Sequence, residues 1–246
     1  MTKHELYEKL SEGFRRIVAE RGIESDTIHI VSRALSPEEA IGITERKDYP
    51  ILAGREIMLQ AEYMGAKGQA FTDAPSVFHG TLAEVLALDL AGDTHARGLF
   101  IASMNAVMKK FGLIENTVHC RGEEPEICAK EMKDVLHARY DNPKVLLVGY
   151  QPALLDVLSK MFKLRVLDLD PENIGQERYG VRVEDGAEDF EDATGWADLI
   201  LCTGSTLSNG SITDYIGIGK EVVFFGTTVS GAAKILGLKR LCFCAA

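Results

Sequence analysis

Apolar positions recur at helical spacing near the start of the chain, where Leu6, Leu10, Phe14, Ile17 and Val18 fall on one face. Thr2 and Glu5 stand just ahead of that face in the arrangement of a capping box, and Gly22 follows as a stop. Over 27–33, Thr-Ile-His-Ile-Val-Ser-Arg, the period shortens to two. That predicts a strand, since β-branched side chains fit a pleated, half-buried surface. Ser36-Pro37-Glu38-Glu39 starts another helix, with proline at the first helical position, where its missing N–H is no loss. Residues 56–63 fit helix or strand, but the glycine-rich stretch 65–68 and the run 69–72 favour a β-hairpin. Thr81-Leu82-Ala83-Glu84 opens a helix to about residue 90, and Asp93 caps a longer one ending at Gly112. Strands followed by helices describe an α+β unit.

Pro125 opens a further helix to about residue 139, and Asp141-Asn142-Pro143 is a turn signal. Beyond it the pattern changes. Short apolar runs at 145–148, 165–169, 199–202, 222–225 and 241–244 alternate with helical segments, and a weaker strand lies at 181–183. Such runs imply a parallel sheet covered on both faces. The expected organisation is therefore an α+β domain over 1–141 and a Rossmann-like α/β domain, with an open parallel sheet, over 142–246.

The 246 residues, 46% hydrophobic and 26% charged, suffice for two such cores. No apolar run approaches the roughly 20 residues that cross a bilayer, and the opening Met1-Thr2-Lys3-His4-Glu5 does not resemble a signal peptide. A cytoplasmic protein with no membrane partner is expected. The net charge of −10 has no basic block within it, unlike the Lys/Arg footprint of a nucleic-acid binder. Five cysteines without a C-x-x-C pair argue against a disulfide framework and fit a reducing compartment.

In a doubly wound sheet, ligands bind outside the carboxyl ends of the strands, so the residues after each strand carry the chemistry. Gly149-Tyr150-Gln151-Pro152 follows the first, and a helix is expected after it over 153–162. Its glycine permits a tight turn, and N–H groups at the ensuing helix start can receive an anion, although the fingerprint G-x-G-x-x-G is absent. Asp168 and Asp170 sit where Rossmann domains place the acid that holds a ribose diol; they would equally serve as hard metal ligands or as turn caps before Pro171. Thr203-Gly204-Ser205-Thr206-Leu207-Ser208-Asn209-Gly210 concentrates hydroxyls, an amide and two glycines in one expected loop before a helix near 212–216, a composition suited to a carboxylate, phosphate or sugar. Gly226-Thr227-Thr228-Val229-Ser230-Gly231 repeats the theme. No nucleophilic triad emerges. Cys242 and Cys244, two apart on an expected strand, and His119-Cys120 with Cys128 lack partners at zinc spacing, so they read as small buried hydrophobes. In the first half, Asn105 interrupts an apolar helix and must either hold backbone or face a cleft, and Asp73 starts a turn with Pro75 and Ser76.

Taken in order, Gly-Gln-Ala-Phe-Thr-Asp (68–73), Ser-Met-Asn-Ala (103–106), Val-Gly-Tyr-Gln-Pro (148–152), Thr-Gly-Ser-Thr-Leu-Ser-Asn-Gly (203–210) and Phe-Gly-Thr-Thr (225–228) resemble the putative heavy-metal-chelation family. The resemblance implies an enolase-N-terminal-like first domain, a Rossmann-like second domain and a site in the cleft between them. Thr203, Gly204, Thr206 and Asn209 would face that cleft, with Asn105 and Asp73 opposite. The family loop usually reads Gly-Pro-Ser where this chain has Gly226-Thr227-Thr228.

Two functions follow as expectations. One is binding of a small polar or anionic ligand, such as a metal or metal–chelator complex, through Gly149, Tyr150, Gln151, Asp168, Asp170, Thr203, Gly204, Ser205, Thr206, Asn209, Gly226, Thr227 and Thr228. The other is an enzyme, a transferase or oxidoreductase, using a nucleotide-like cofactor with its ribose on Asp168 or Asp170. A homo-oligomer is compatible with either.

Overall fold

The computed structural model describes residues 1–31, 36–54 and 57–246. Helix α1 (Lys3–Arg21) begins with the expected reciprocal bonds between Thr2 and Glu5 and ends at left-handed Gly22. The first sheet is antiparallel, in the order β3-β2-β1-β4: β1 (Thr27–Val31), β2 (Ile57–Tyr63), β3 (Ala66–Thr72) and β4 (Phe78–Thr81). Residues 32 and 33 of the expected first strand, and residue 56 of the second, lie outside the described residues. The β2–β3 turn needs only Met64 and Gly65, both at positive φ, so 66–68 join the strand rather than the turn. Gly68 has a separate reason to be glycine: a Cβ there would lie 2.2 Å from the Ala106 nitrogen.

Short helices α2 (Pro37–Ile41) and α3 (Leu82–Leu86) carry capping boxes at Ser36 and Thr81. The latter stops well before residue 90. Helix α4 (Thr94–Lys110), capped by Asp93, is buried on all sides from Gly98 to Met108. One side lies on β2 and β3; the other meets elements of the second half.

After α5 (Glu124–Arg139) the chain alternates: β5 (Lys144–Val148), α6 (Pro152–Ser159), β6 (Lys163–Asp168), β7 (Glu177–Arg178), β8 (Val181–Asp185), α7 (Phe190–Trp196), β9 (Leu199–Thr203), α8 (Thr206–Asn209), β10 (Glu221–Phe225), α9 (Ser230–Leu236) and β11 (Arg240–Leu241). The sheet order is β11-β10-β9-β5-β6-β8-β7, parallel except for the β7–β8 pair. From β8 to β11 this is the Rossmann order, with its switch point between β5 and β9. The expected mixed α/β fold is therefore what forms.

Three local expectations change. The last strand ends at Leu241, so Cys242 and Cys244 lie beyond it instead of sharing a strand face. The chain leaves the sheet there because its end pairs elsewhere: Thr117 and Val118 donate their N–H groups to the Ala246 carbonyl. The hydroxyl-rich stretch holds the one-turn helix α8, and the helix near 212–216 is a 3-10 turn at Ser211–Asp214. Finally, α6 ends at Ser159, short of residue 162.

The hydrophobic core is continuous across the two sheets. One cluster joins Leu6, Phe14, Phe100 and Met104 to Leu146, Cys202, Phe224 and Val229. Burying each such side chain contributes roughly 1.5–3 kcal/mol. A second cluster, on the opposite face of the parallel sheet, packs Met132 and Leu136 with Leu147, Leu155, Leu201, Tyr49 and Ile51.

Candidate functional site

A cavity of about 480 Å³ opens at the carboxyl ends of β5, β6, β9 and β10, across the switch point. Gly149 lies at its floor with φ +89, and a Cβ there would stand 2.7 Å from Thr203 Cγ2. Only glycine lets the first turn approach the third so closely. The Gly204 N–H donates to the Phe225 carbonyl at 2.7 Å, joining the next two turns. Gly149, Gly204 and Gly226 thus share one mouth.

Most polar groups expected here do line the cavity, but many are engaged by the fold. Asp168 accepts the Tyr150 N–H on one carboxylate oxygen at 2.5 Å and the Asp170 N–H on the other at 2.6 Å. Gln151 caps α6 by accepting from the Leu154 N–H, and Pro152 has no N–H to offer. The helix start is therefore less open to an anion than its sequence suggests. Thr206 donates to the Thr203 carbonyl at 2.7 Å, and the Asn209 side chain accepts from the Ser211 N–H. Thr203 and Ser205 bond to each other at 3.3 Å. The Phe71 backbone, also in the wall, is held at both ends: Thr228 Oγ1 accepts its N–H and the Ser208 hydroxyl donates to its carbonyl.

Thr227 differs. Its side chain is 2% exposed and lines the cavity, yet among the described residues its hydroxyl has no partner. Ser211 Oγ, in the same wall, is orphaned in the same way.

Two candidates lie elsewhere. Asp73 is exposed, away from the cavity. Asn105 is fully buried in the core, where its amide nitrogen donates to the carbonyls of Gln69, Thr227 and Thr228 and its oxygen accepts the Gly231 N–H. The asparagine holds backbone; it does not face the cavity. An apolar helix face gives no means of telling these outcomes apart.

The opposite wall has no counterpart among the expected site residues. Ile41, Tyr49 and Ile51 come from the stretch 36–54, a strap along that wall. Arg46 pins it, with Nε 2.5 Å from Glu126 and an NH group 2.8 Å from Asp156, and Tyr179 also bonds to that guanidinium. The hydroxyls of Tyr150 and Tyr179 donate to Asp48, and that of Tyr49 to Glu126. Burial pushes Glu126 upward, but hydrogen bonds from Arg46 and Tyr49 outweigh it and leave this carboxyl below its ordinary range. Asp156 is likewise lowered: burial is overcome by Lys160 and Arg46.

Sulfur lines the same wall. Cys120, Cys128, Cys242 and Met132 border the cavity beside His119. Burial raises the Cys120 thiol, and proximity to Cys128, Cys242 and Cys244 raises it further. Cys244 is pushed up to about 11, by burial and then by Cys128. Burial raises Cys242 too, against the Arg240 guanidinium and the N–H groups of Ala245 and Gly226. Sequence spacing concealed this meeting, because the pairs 120/128 and 242/244 lie far apart along the chain. Among the described residues, no three His, Cys, Asp or Glu side chains already stand as a metal-ligand set.

Sheet order and cavity position define a Rossmann-type α/β protein with a pocket at its topological switch point. Residues 134–239, which hold the Gly149, Thr203 and Gly226 turns, match the family DUF364, described as putative heavy-metal chelation, so the resemblance read from the sequence holds for that segment. The fold is similar to that of a DUF364-family protein of unknown function from Pyrococcus horikoshii, with TM-score 0.56 and 13% identity over 91% of this chain and 79% of that one. It is also similar to a DUF364-family protein of unknown function from Desulfitobacterium hafniense DCB-2, with TM-score 0.52 and 14% identity over 95% and 82%. At these identities the likeness is one of fold. No curated protein matches the chain. No helix among the described residues is long and apolar enough to cross a membrane.

Proposed function

We propose that this pocket binds a small amphipathic ligand, a metal ion carried in an organic chelator, held between the Rossmann turns and the strap. The observation that carries this reading is the mixed wall of the cavity of about 480 Å³ at the switch point, where hydroxyl- and glycine-rich turns share one space with apolar side chains. Phe71, Ile51, Met132 and Phe225 offer apolar contact, so a bare hydrophilic ion fits the wall poorly. An organic chelator brings both an apolar frame and ligands of its own. The heavy-metal description of the matched family points the same way. A nucleotide-like cofactor is less well supported, because both Asp168 oxygens are engaged by backbone and the α6 start is capped by Gln151.

Thermal unfolding with zinc citrate, cadmium citrate, free citrate and NAD separates the readings. A chelate at about 100 times its Kd adds about 2.7 kcal/mol, and for a chain of this size that is a rise of about 5–10 °C in Tm. Ser205→Ala removes a partly exposed hydroxyl of the wall and should weaken chelate binding by up to about tenfold. Stabilisation by NAD but by neither metal chelate would reject the proposal in favour of a nucleotide-dependent enzyme.

A further inference from the structure

We infer that His119 Nε2 takes up an open position on the chelated metal, so that the pocket selects chelates of zinc, copper or nickel that leave such a position free. The inference rests on the pocket being a chelate site and deepens that reading by naming the group that grips the metal and the class of chelate it accepts.

The imidazole is held from several directions. Its Nδ1 stands 2.7 Å from the Cys120 carbonyl. A carbonyl can only accept, so Nδ1 carries the proton and Nε2 keeps its lone pair. The His119 backbone N–H donates to Gln69 Oε1 at 2.7 Å, and Gln69 is itself held by donating to Gln60 at 2.9 Å. Phe71 meets the ring edge to face, with 5.4 Å between centroids. Among the described residues no hydrogen bond reaches Nε2. His119 is half-buried and lines the cavity together with Phe71 and Met132.

A ring N–H given to a backbone carbonyl is the usual arrangement behind a metal-bound histidine, because it sets the tautomer, aims the ring and makes the other nitrogen more basic. Imidazole suits zinc, copper and nickel, whereas magnesium and calcium take oxygen. A bare ion is not what the wall can hold, since among the described residues no three His, Cys, Asp or Glu side chains form a ligand set. One imidazole is enough for a metal that arrives with ligands of its own, provided its chelator leaves room for it. Binding then forms one nitrogen–metal bond in place of a metal-bound water and moves no proton, because Nε2 is already bare.

The test compares zinc citrate, which leaves positions on zinc open to water, with zinc EDTA, which encloses the metal, on the full-length protein labelled with nitrogen-15 at histidine. The wild type alone should show His119 as the Nδ1–H tautomer in long-range proton–nitrogen spectra, with its peaks assigned through the backbone. Zinc citrate should shift the Nε2 resonance and leave Nδ1 protonated; zinc EDTA should leave both where they were. His119→Gln should weaken zinc citrate binding by at least about tenfold. An Nε2–H tautomer, an Nε2 signal unmoved by zinc citrate or moved equally by both complexes, or His119→Gln binding as the wild type does would each overturn the inference. A rise in Tm with zinc citrate alongside any of those results would leave the pocket reading standing, whereas no rise and no shift would remove both.

Discussion

Asn105→Ala offers the sharpest test of how this pocket is built. The side chain is fully buried: its two amide protons are shared among three backbone carbonyls at 3.1–3.3 Å, and its oxygen accepts the Gly231 N–H at 2.8 Å. The Thr227 carbonyl keeps its bonds from Ser230, so its loss is partial. The Gly231 N–H has one proton to give, and burying it unpaired costs roughly 1–3 kcal/mol. Each weakened carbonyl adds roughly 0.5–1 kcal/mol, and the small void left behind adds more. A total of about 3–5 kcal/mol is expected, a large share of the 5–15 kcal/mol typical of a folded domain. Urea unfolding followed by circular dichroism measures it as a lower midpoint at constant slope. Chelate binding should weaken as well, since the clamp ends on Thr227 and Thr228. A loss below about 1 kcal/mol would refute the claim that this amide joins the first sheet to the β10 turn.

Two further predictions follow from the same geometry. Gly149→Ala forces a side chain into φ +89 and against Thr203, so about 2–3 kcal/mol of stability should be lost, read from the same urea midpoint. An unchanged midpoint would show that the turn has slack. For the strap, Glu126 and Asp156 are held below their ordinary range, so their contribution is present above the unfolded carboxyl values and is lost as pH falls through the folded ones. The stability gap between wild type and Arg46→Gln should therefore stay constant above about pH 5 and shrink below about pH 4, measured by urea unfolding across that range. A gap that persists in acid would mean that the ion pairs do not hold the strap.

Much of the architecture was legible because it is written locally. The capping boxes at Thr2, Ser36 and Thr81 need only neighbours three residues away, and each forms. The buried strands of the parallel sheet announce themselves as apolar runs, and the Rossmann order places their following turns at one mouth. What the sequence concealed depends on distant partners. Residues 242–244 have the composition of a strand, but Ala246 pairs with Thr117 and Val118 and draws the chain away. The hydroxyls of Thr206, Ser208 and Thr228 look like ligand donors in a row of letters, whereas each bonds to protein backbone. Tyr49 and Arg46 carry no motif at all. Only the folded chain shows Tyr49 in the cavity wall and Arg46 pinning the stretch beside it.

The continuous burial of α4 between the two sheets bears on how a guest molecule gets in. Phe100 and Met104 share one apolar cluster with Leu146 and Phe224, so swinging the halves apart like a hinged shell would expose that whole seam to water. Releasing Arg46 from its carboxylates would still leave Ile41, Tyr49 and Ile51 seated in the second apolar cluster.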